Sequence, residues 1–157
     1  MGLGRTVLGT IGGYNQVTAD GTPVAKVAGV TLAWELFAAV SGADVTLPDG
    51  QIIKIGEKYC RYGQPIVQAT SGTYSGKWGP YDSAAVDGRQ TLVRGTSYVV
   101  NFTVVNTDPM SDYPEAIEGG RVFLARILQV GTGTASLAAG PTRANLDAAF
   151  PGFFYVQ

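Results

Sequence analysis

The sequence has no histidine, one cysteine and no run of basic residues. Each absence removes a class of chemistry. Without histidine there is no Ser-His-Asp or Cys-His arrangement, and the commonest general base and metal ligand is missing. A single cysteine makes neither an intrachain disulfide nor a thiolate zinc site. Cys60 lies in the strand-like run Lys58-Tyr59-Cys60-Arg61-Tyr62 and reads as a small buried hydrophobe, not a reactive thiol. The eleven Lys and Arg residues are scattered. Nucleic-acid binding needs a concentrated basic footprint to displace counterions, so no nucleic-acid partner is expected. No apolar stretch approaches the roughly 18 residues of a membrane span, and no membrane partner is expected. The start, Met1 to Val7, lacks the apolar segment of a signal peptide.

Charge is scarce too. Only 15% of the 157 residues are charged, against a usual value of about a quarter, and the formal net charge is −1. A weakly charged chain with 45% hydrophobic residues suits assembly with partners better than life as an isolated monomer. A chain of this length suits one domain and buries enough surface for a core without metals or disulfides.

Turn residues are abundant, with 22 glycines and eight prolines. Asp20-Gly21, Asp49-Gly50 and Asp87-Gly88 supply the positive φ angles of tight turns. Short apolar runs between such turns predict a mainly β fold, a compact β-sandwich or β-barrel-like domain. Gln51 to Ile55 reads as a strand. So does Tyr98 to Val105, with Tyr98, Val100, Phe102 and Val104 on one buried face. Pro65 makes Gln64 to Gln68 a strand start or an edge. Thr31 to Val40 and Arg121 to Val130 fit either a strand or a short helix, and strand is preferred for both. One short C-terminal helix is predicted. Thr142 is its N-cap, Leu146, Ala149 and Phe150 form its apolar face, and Pro151-Gly152 ends it. Phe153, Phe154 and Tyr155 then pack the tail back onto the body. Residues 1–23, rich in glycine, read as an extended N-terminal arm that orders on a partner through Val7, Leu8, Ile11 and Tyr14. Residues 24–157 form the β-rich domain.

Candidate sites are few. Asp82 with Asp87, and Asp108 with Asp112, are the possible paired carboxylates, but all lie in turn-rich stretches where aspartate bonds its own backbone. Asp108, Asp112, Glu115 and Glu118 lack the spacing of a calcium loop. Gly131 to Ser136 lacks the third glycine of a dinucleotide loop. Asn101-Phe102-Thr103 has the form of a glycosylation sequon, but it lies inside a predicted strand. No catalytic, cofactor or metal residue is assigned, and no enzymatic activity is expected. The aromatic residues Tyr59, Tyr62, Tyr74, Trp78 and Tyr81 crowd one glycine-rich region. They read as core and interface residues, with Tyr74, Trp78 and Tyr81 assigned to a subunit interface.

The segments Asp49 to Gly56, Lys58 to Gln64 and Trp78 to Arg89 resemble the head decoration, or capsid cement, proteins of tailed bacteriophages. The shared pattern is a strand ending in Arg61-Tyr62-Gly63-Gln64 and a loop Tyr81-Asp82 to Asp87-Gly88-Arg89. It continues through Arg94-Gly95, Gly140-Pro141-Thr142 and Phe150-Pro151-Gly152, and covers roughly residues 28–152. The resemblance implies a virion protein on the capsid exterior, a homotrimer that clamps major capsid protein subunits through its arm and stabilises the expanded head. The alternative is another virion β-module, such as a tail-tube, fibre or glycan-binding adhesin domain.

Overall fold

The computed structural model describes residues 25–128 and 141–156. The arm residues Val7, Leu8, Ile11 and Tyr14, the pair Asp20-Gly21 and the loop Gly131 to Ser136 lie outside the described residues. The described chain is mainly β, as the turn spacing predicts.

The Asp49-Gly50 turn behaves as its chemistry requires. Gly50 sits at φ +89°, and the Asp49 carboxylate accepts a hydrogen bond from the Gln51 amide at 3.1 Å. This turn joins β2 (Val45–Thr46) to β3 (Ile52–Ile53) in an antiparallel pair. Ile53 is fully buried and Ile52 faces solvent, the alternation of a half-buried strand. A second ribbon pairs β4 (Tyr59–Cys60) with β8 (Val104–Val105). Ile53, Tyr59 and Val105 of the two ribbons share one small core with Val40 and Leu47.

The main sheet runs β1 (Ala25–Val27), β9 (Ala116–Phe123), β7 (Ser97–Val100), β5 (Pro65–Gln68), β6 (Trp78–Pro80), with β10 (Gly152–Val156) added parallel to β9. Pro65 is the first residue of its strand, where a missing N–H costs no ladder bond. Beyond β6 the edge is occupied by the segment that follows β1. The Trp78 amide donates to the Thr31 carbonyl and the Ala33 amide to the Trp78 carbonyl, both at 2.9 Å. One segment therefore touches both ends of the sheet. Laid flat, five strand spacings would separate those ends by about 24 Å. The four residue steps from Val27 to Thr31 reach at most about 14 Å. The sheet must curl to bring its edges together, which gives the barrel-like body expected from the sequence.

Curling separates two cores. Val30, Leu32, Phe37, Cys60, Ile66, Trp78, Val100 and Ala116 pack on one side, as the filling of a small closed sheet requires. Val67, Val99, Ile117 and Val122 face the other side. There they are covered by α1 (Leu124–Leu128) and α2 (Arg143–Ala149), with Phe153 of β10 in the same core. The neighbours Val99 and Val100 thus serve different cores. Ile117 and Val122 serve the same core although strict alternation sets them on opposite faces. Gly120, at φ +112°, lies between them where the alternation resets.

Four sequence expectations change. Gln51 to Ile55 is strand only at Ile52–Ile53, because the Asp49, Glu57 and Asp44 carboxylates accept from the Gln51, Lys54 and Ile55 amides. The run from Tyr98 to Val105 is two strands in different sheets, because its partners change from β5 and β9 to β4 and the Thr103 side chain, not a main-chain carbonyl, meets the Tyr62 amide between them. Asn101 donates its amide to the Glu115 carbonyl at 2.9 Å and its side chain to the Glu115 carboxylate at 2.7 Å, and Thr103 Oγ1 accepts from the Tyr62 amide at 3.0 Å. Phe102 accordingly points outward, not into a shared buried face. The described part of the stretch Arg121 to Val130, which ends at Leu128, is strand only to Phe123. It then turns into α1, where Leu124 and Ile127, three apart, meet the outer core. Thr31 to Val40 is extended at both ends, bridging through Leu32 and Ala39, and makes one 3-10 turn at Trp34–Leu36.

The C-terminal helix forms as the sequence predicts. Thr142 Oγ1 accepts from the Asn145 amide at 3.2 Å, and Asn145 Oδ1 accepts from the Thr142 amide at 3.1 Å, completing a capping box. Leu146, Ala149 and Phe150 are buried, and Phe153 of β10 joins them. Thr142→Ala is expected to lower stability by about 1 kcal/mol, with the native fold retained, in urea titration.

Candidate functional site

The segment from Asp49 to Arg89 is built from turns held by specific bonds. The loop from Tyr81 to Arg89 is held by an ion pair and backbone bonds. Arg89 Nε donates to both carboxylate oxygens of Asp87, at 3.1 and 3.0 Å, and its Nη1 donates to the Pro80 carbonyl at 2.9 Å. The Asp87 carbonyl in turn accepts from the Thr70 amide at 2.7 Å. Gly88, at φ +107°, lies so close to Thr70 that a Cβ there would strike the Thr70 hydroxyl. The loop is thereby clamped onto β6 and the Thr70 turn, with Val86 at its tip 92% exposed. A mostly buried ion pair spends a charge on geometry, and its product here is a fixed loop shape.

Burial pushes the Asp87 carboxyl up, but the Arg89 hydrogen bonds outweigh it and hold the group below the usual carboxylate value. A depressed carboxylate contributes stability that is complete above its unfolded value and is lost as pH falls through the folded one. The Asp87–Arg89 contribution should therefore be full at pH 5 and above and fade below about pH 4. Arg89→Met is expected to cost about 2–3 kcal/mol at pH 7, because it leaves the Asp87 charge unpaired in a mostly buried site. Denaturant titrations from pH 3 to pH 7 check this, since the cost should shrink as Asp87 becomes protonated.

The other reactive groups occupy structural roles. The Cys60 thiol is fully buried and burial raises its pKa far above the ordinary range, which removes the thiolate that a nucleophile needs. Asp82 accepts from the Ala84 amide at 2.9 Å and Asp108 from the Val105 amide at 3.0 Å, the turn roles expected of them. The sequon residue Asn101 is buried with its side chain on Glu115, so it is closed to modification. Among the described residues, no group of His, Cys, Asp and Glu side chains is arranged to hold a metal ion, and no helix is long and apolar enough to cross a membrane.

The aromatic residues do not gather into one surface. Trp78, expected at a subunit interface, is buried inside the curled sheet and stacks on Tyr98 with ring centroids 4.8 Å apart. It offers no area to a partner, because an indole completes the inner core at this β6 position. Tyr81 is half-buried against the outer core, on the opposite side of the sheet. Tyr74 is half-buried in the turn that follows Gly72. Tyr59 and Tyr62 are core residues. The most exposed large apolar side chains are instead Val86, Met110, Tyr113 and Phe154, and Phe154 does not pack onto the body as expected, because strand alternation turns Phe153 inward and Phe154 outward. For Phe154 a signal existed, since it lies between Phe153 and Tyr155 on a strand. No family model, curated protein or solved structure matches this chain.

Proposed function

We propose that this protein is a structural component of a tailed-phage virion. It binds the outer surface of the capsid and stabilises the expanded head by bridging major capsid protein subunits, as a homotrimer and without enzymatic activity. The observation that carries this reading is the turn pattern from Asp49 to Arg89, which resembles head decoration proteins. The residues of that pattern that are most constrained, Gly50, Gly63, Gly88 and Arg89, set backbone geometry and not chemistry. Low charge and outward apolar side chains on rigid turns suit a closely apposed protein interface. Many copies that each bind only the assembled lattice stabilise it by mass action, so no active site is needed.

The burial of Trp78 removes the main stacking residue of the alternative glycan-binding surface. Purified protein mixed with expanded heads and with unexpanded proheads tests the proposal. Saturable, stoichiometric sedimentation with expanded heads alone is the expected result. Equal failure to bind both would overturn it.

A further inference from the structure

Among the described residues, eleven adopt a positive φ, and ten of them are glycine. The exception is Met110, at φ +60°. A left-handed conformation is strained for any residue with a Cβ and uncommon for a long side chain. Glycine would relieve that strain, and this chain uses glycine at each of its other described left-handed positions. Nor does packing explain the methionine, because Met110 is 75% exposed. The methionine therefore gains nothing from its own fold that glycine would not supply.

The turn around Met110 is firmly held. Asp108 accepts from the Val105 amide at 3.0 Å, Ser111 donates its hydroxyl to the Asn106 carbonyl at 3.2 Å, and the Asp112 carbonyl accepts from the Leu32 amide at 2.8 Å. The Tyr113 amide donates to the Met110 carbonyl at 3.0 Å, so one closed turn carries both Met110 and Tyr113, and Tyr113 is 59% exposed. Two apolar side chains on a preformed turn lose little freedom when a partner covers them. Both exposed neighbours in the turn that carry charge, Asp108 and Asp112, are acidic, and no Lys or Arg occurs between Arg94 and Arg121.

We infer that the Asp108 to Tyr113 turn is a docking knob, with Met110 and Tyr113 entering an apolar cleft rimmed by Lys or Arg on the major capsid protein. This rests on the capsid-binding reading above and adds the residues and the partner chemistry. Charge complementarity favours a basic rim and makes association slow as salt rises.

Binding of the full chain to expanded heads, measured with Met110→Gly and Tyr113→Ser, tests it. Met110→Gly removes the side chain and the strain together, so its melting temperature should stay level or rise while binding weakens by about tenfold or more. Tyr113→Ser should weaken binding similarly, and added salt should slow wild-type association. Variants that bind as the wild type does would overturn the inference while leaving capsid binding intact. A change in oligomeric mass of Met110→Gly would overturn it too, by assigning the turn to a self-contact. Failure of the wild type itself to bind would sink the capsid reading, and the knob with it.

Discussion

Phe150→Ala should lower stability by about 4 kcal/mol. Phe150 is fully buried where α2 meets β10, and its ring lies 5.0 Å from that of Phe153. Its amide donates to the Leu146 carbonyl at 2.8 Å, and the Phe153 amide returns to the Phe150 carbonyl at 3.1 Å, so the residue fixes the corner between helix and strand. Truncation leaves a cavity that those bonds keep from collapsing. For a domain of this size the midpoint should fall by about 8–16 °C. Phe154→Ala, four residues on and 70% exposed, should change stability by less than about 0.5 kcal/mol. Thermal melts followed by near-ultraviolet circular dichroism separate the two.

Gly63→Ala should cost about 3 kcal/mol, from two separable causes. Gly63 sits at φ +82°, which disfavours alanine by about 1–2 kcal/mol. A Cβ at Gly63 would also collide with the backbone carbonyl of Arg126 in α1, a contact that only a shift of the helix relieves. Gly72 has a similar φ of +78° but nothing within 4 Å of such a Cβ. Gly72→Ala should therefore show the conformational cost alone, about 1–2 kcal/mol. The difference between the two variants in urea titration isolates the packing of α1 against the Arg61 to Gln64 turn. Equal losses would show that the collision is absorbed without cost.

Local chemistry wrote much of this fold into the sequence. The Asp49-Gly50 turn, the strand that starts at Pro65 and the helix capped by Thr142 each depend on neighbours within a few residues, and each was readable. The errors lie where distant partners decide. Tyr98 to Val105 alternates like one strand, yet its partners change along it from β5 and β9 to β4. Leu124 fits a strand face as well as a helix, and the outer core, which it meets together with Ile127, selects the helix. Trp78 looked like a surface aromatic among glycines because nothing in its neighbourhood announces the closing segment, Thr31 to Ala33, that covers it. The surface was least legible of all. Met110 stands out only through its backbone angle, which no spacing pattern reveals.

The location of this chain in a density map of an intact particle tests the central proposal most directly. The expected result is density for the curled-sheet body on the outer capsid surface, over the junctions between major capsid protein subunits, in three-fold groups. Density for the chain in the tail tube or fibres, or none in the virion, would contradict it.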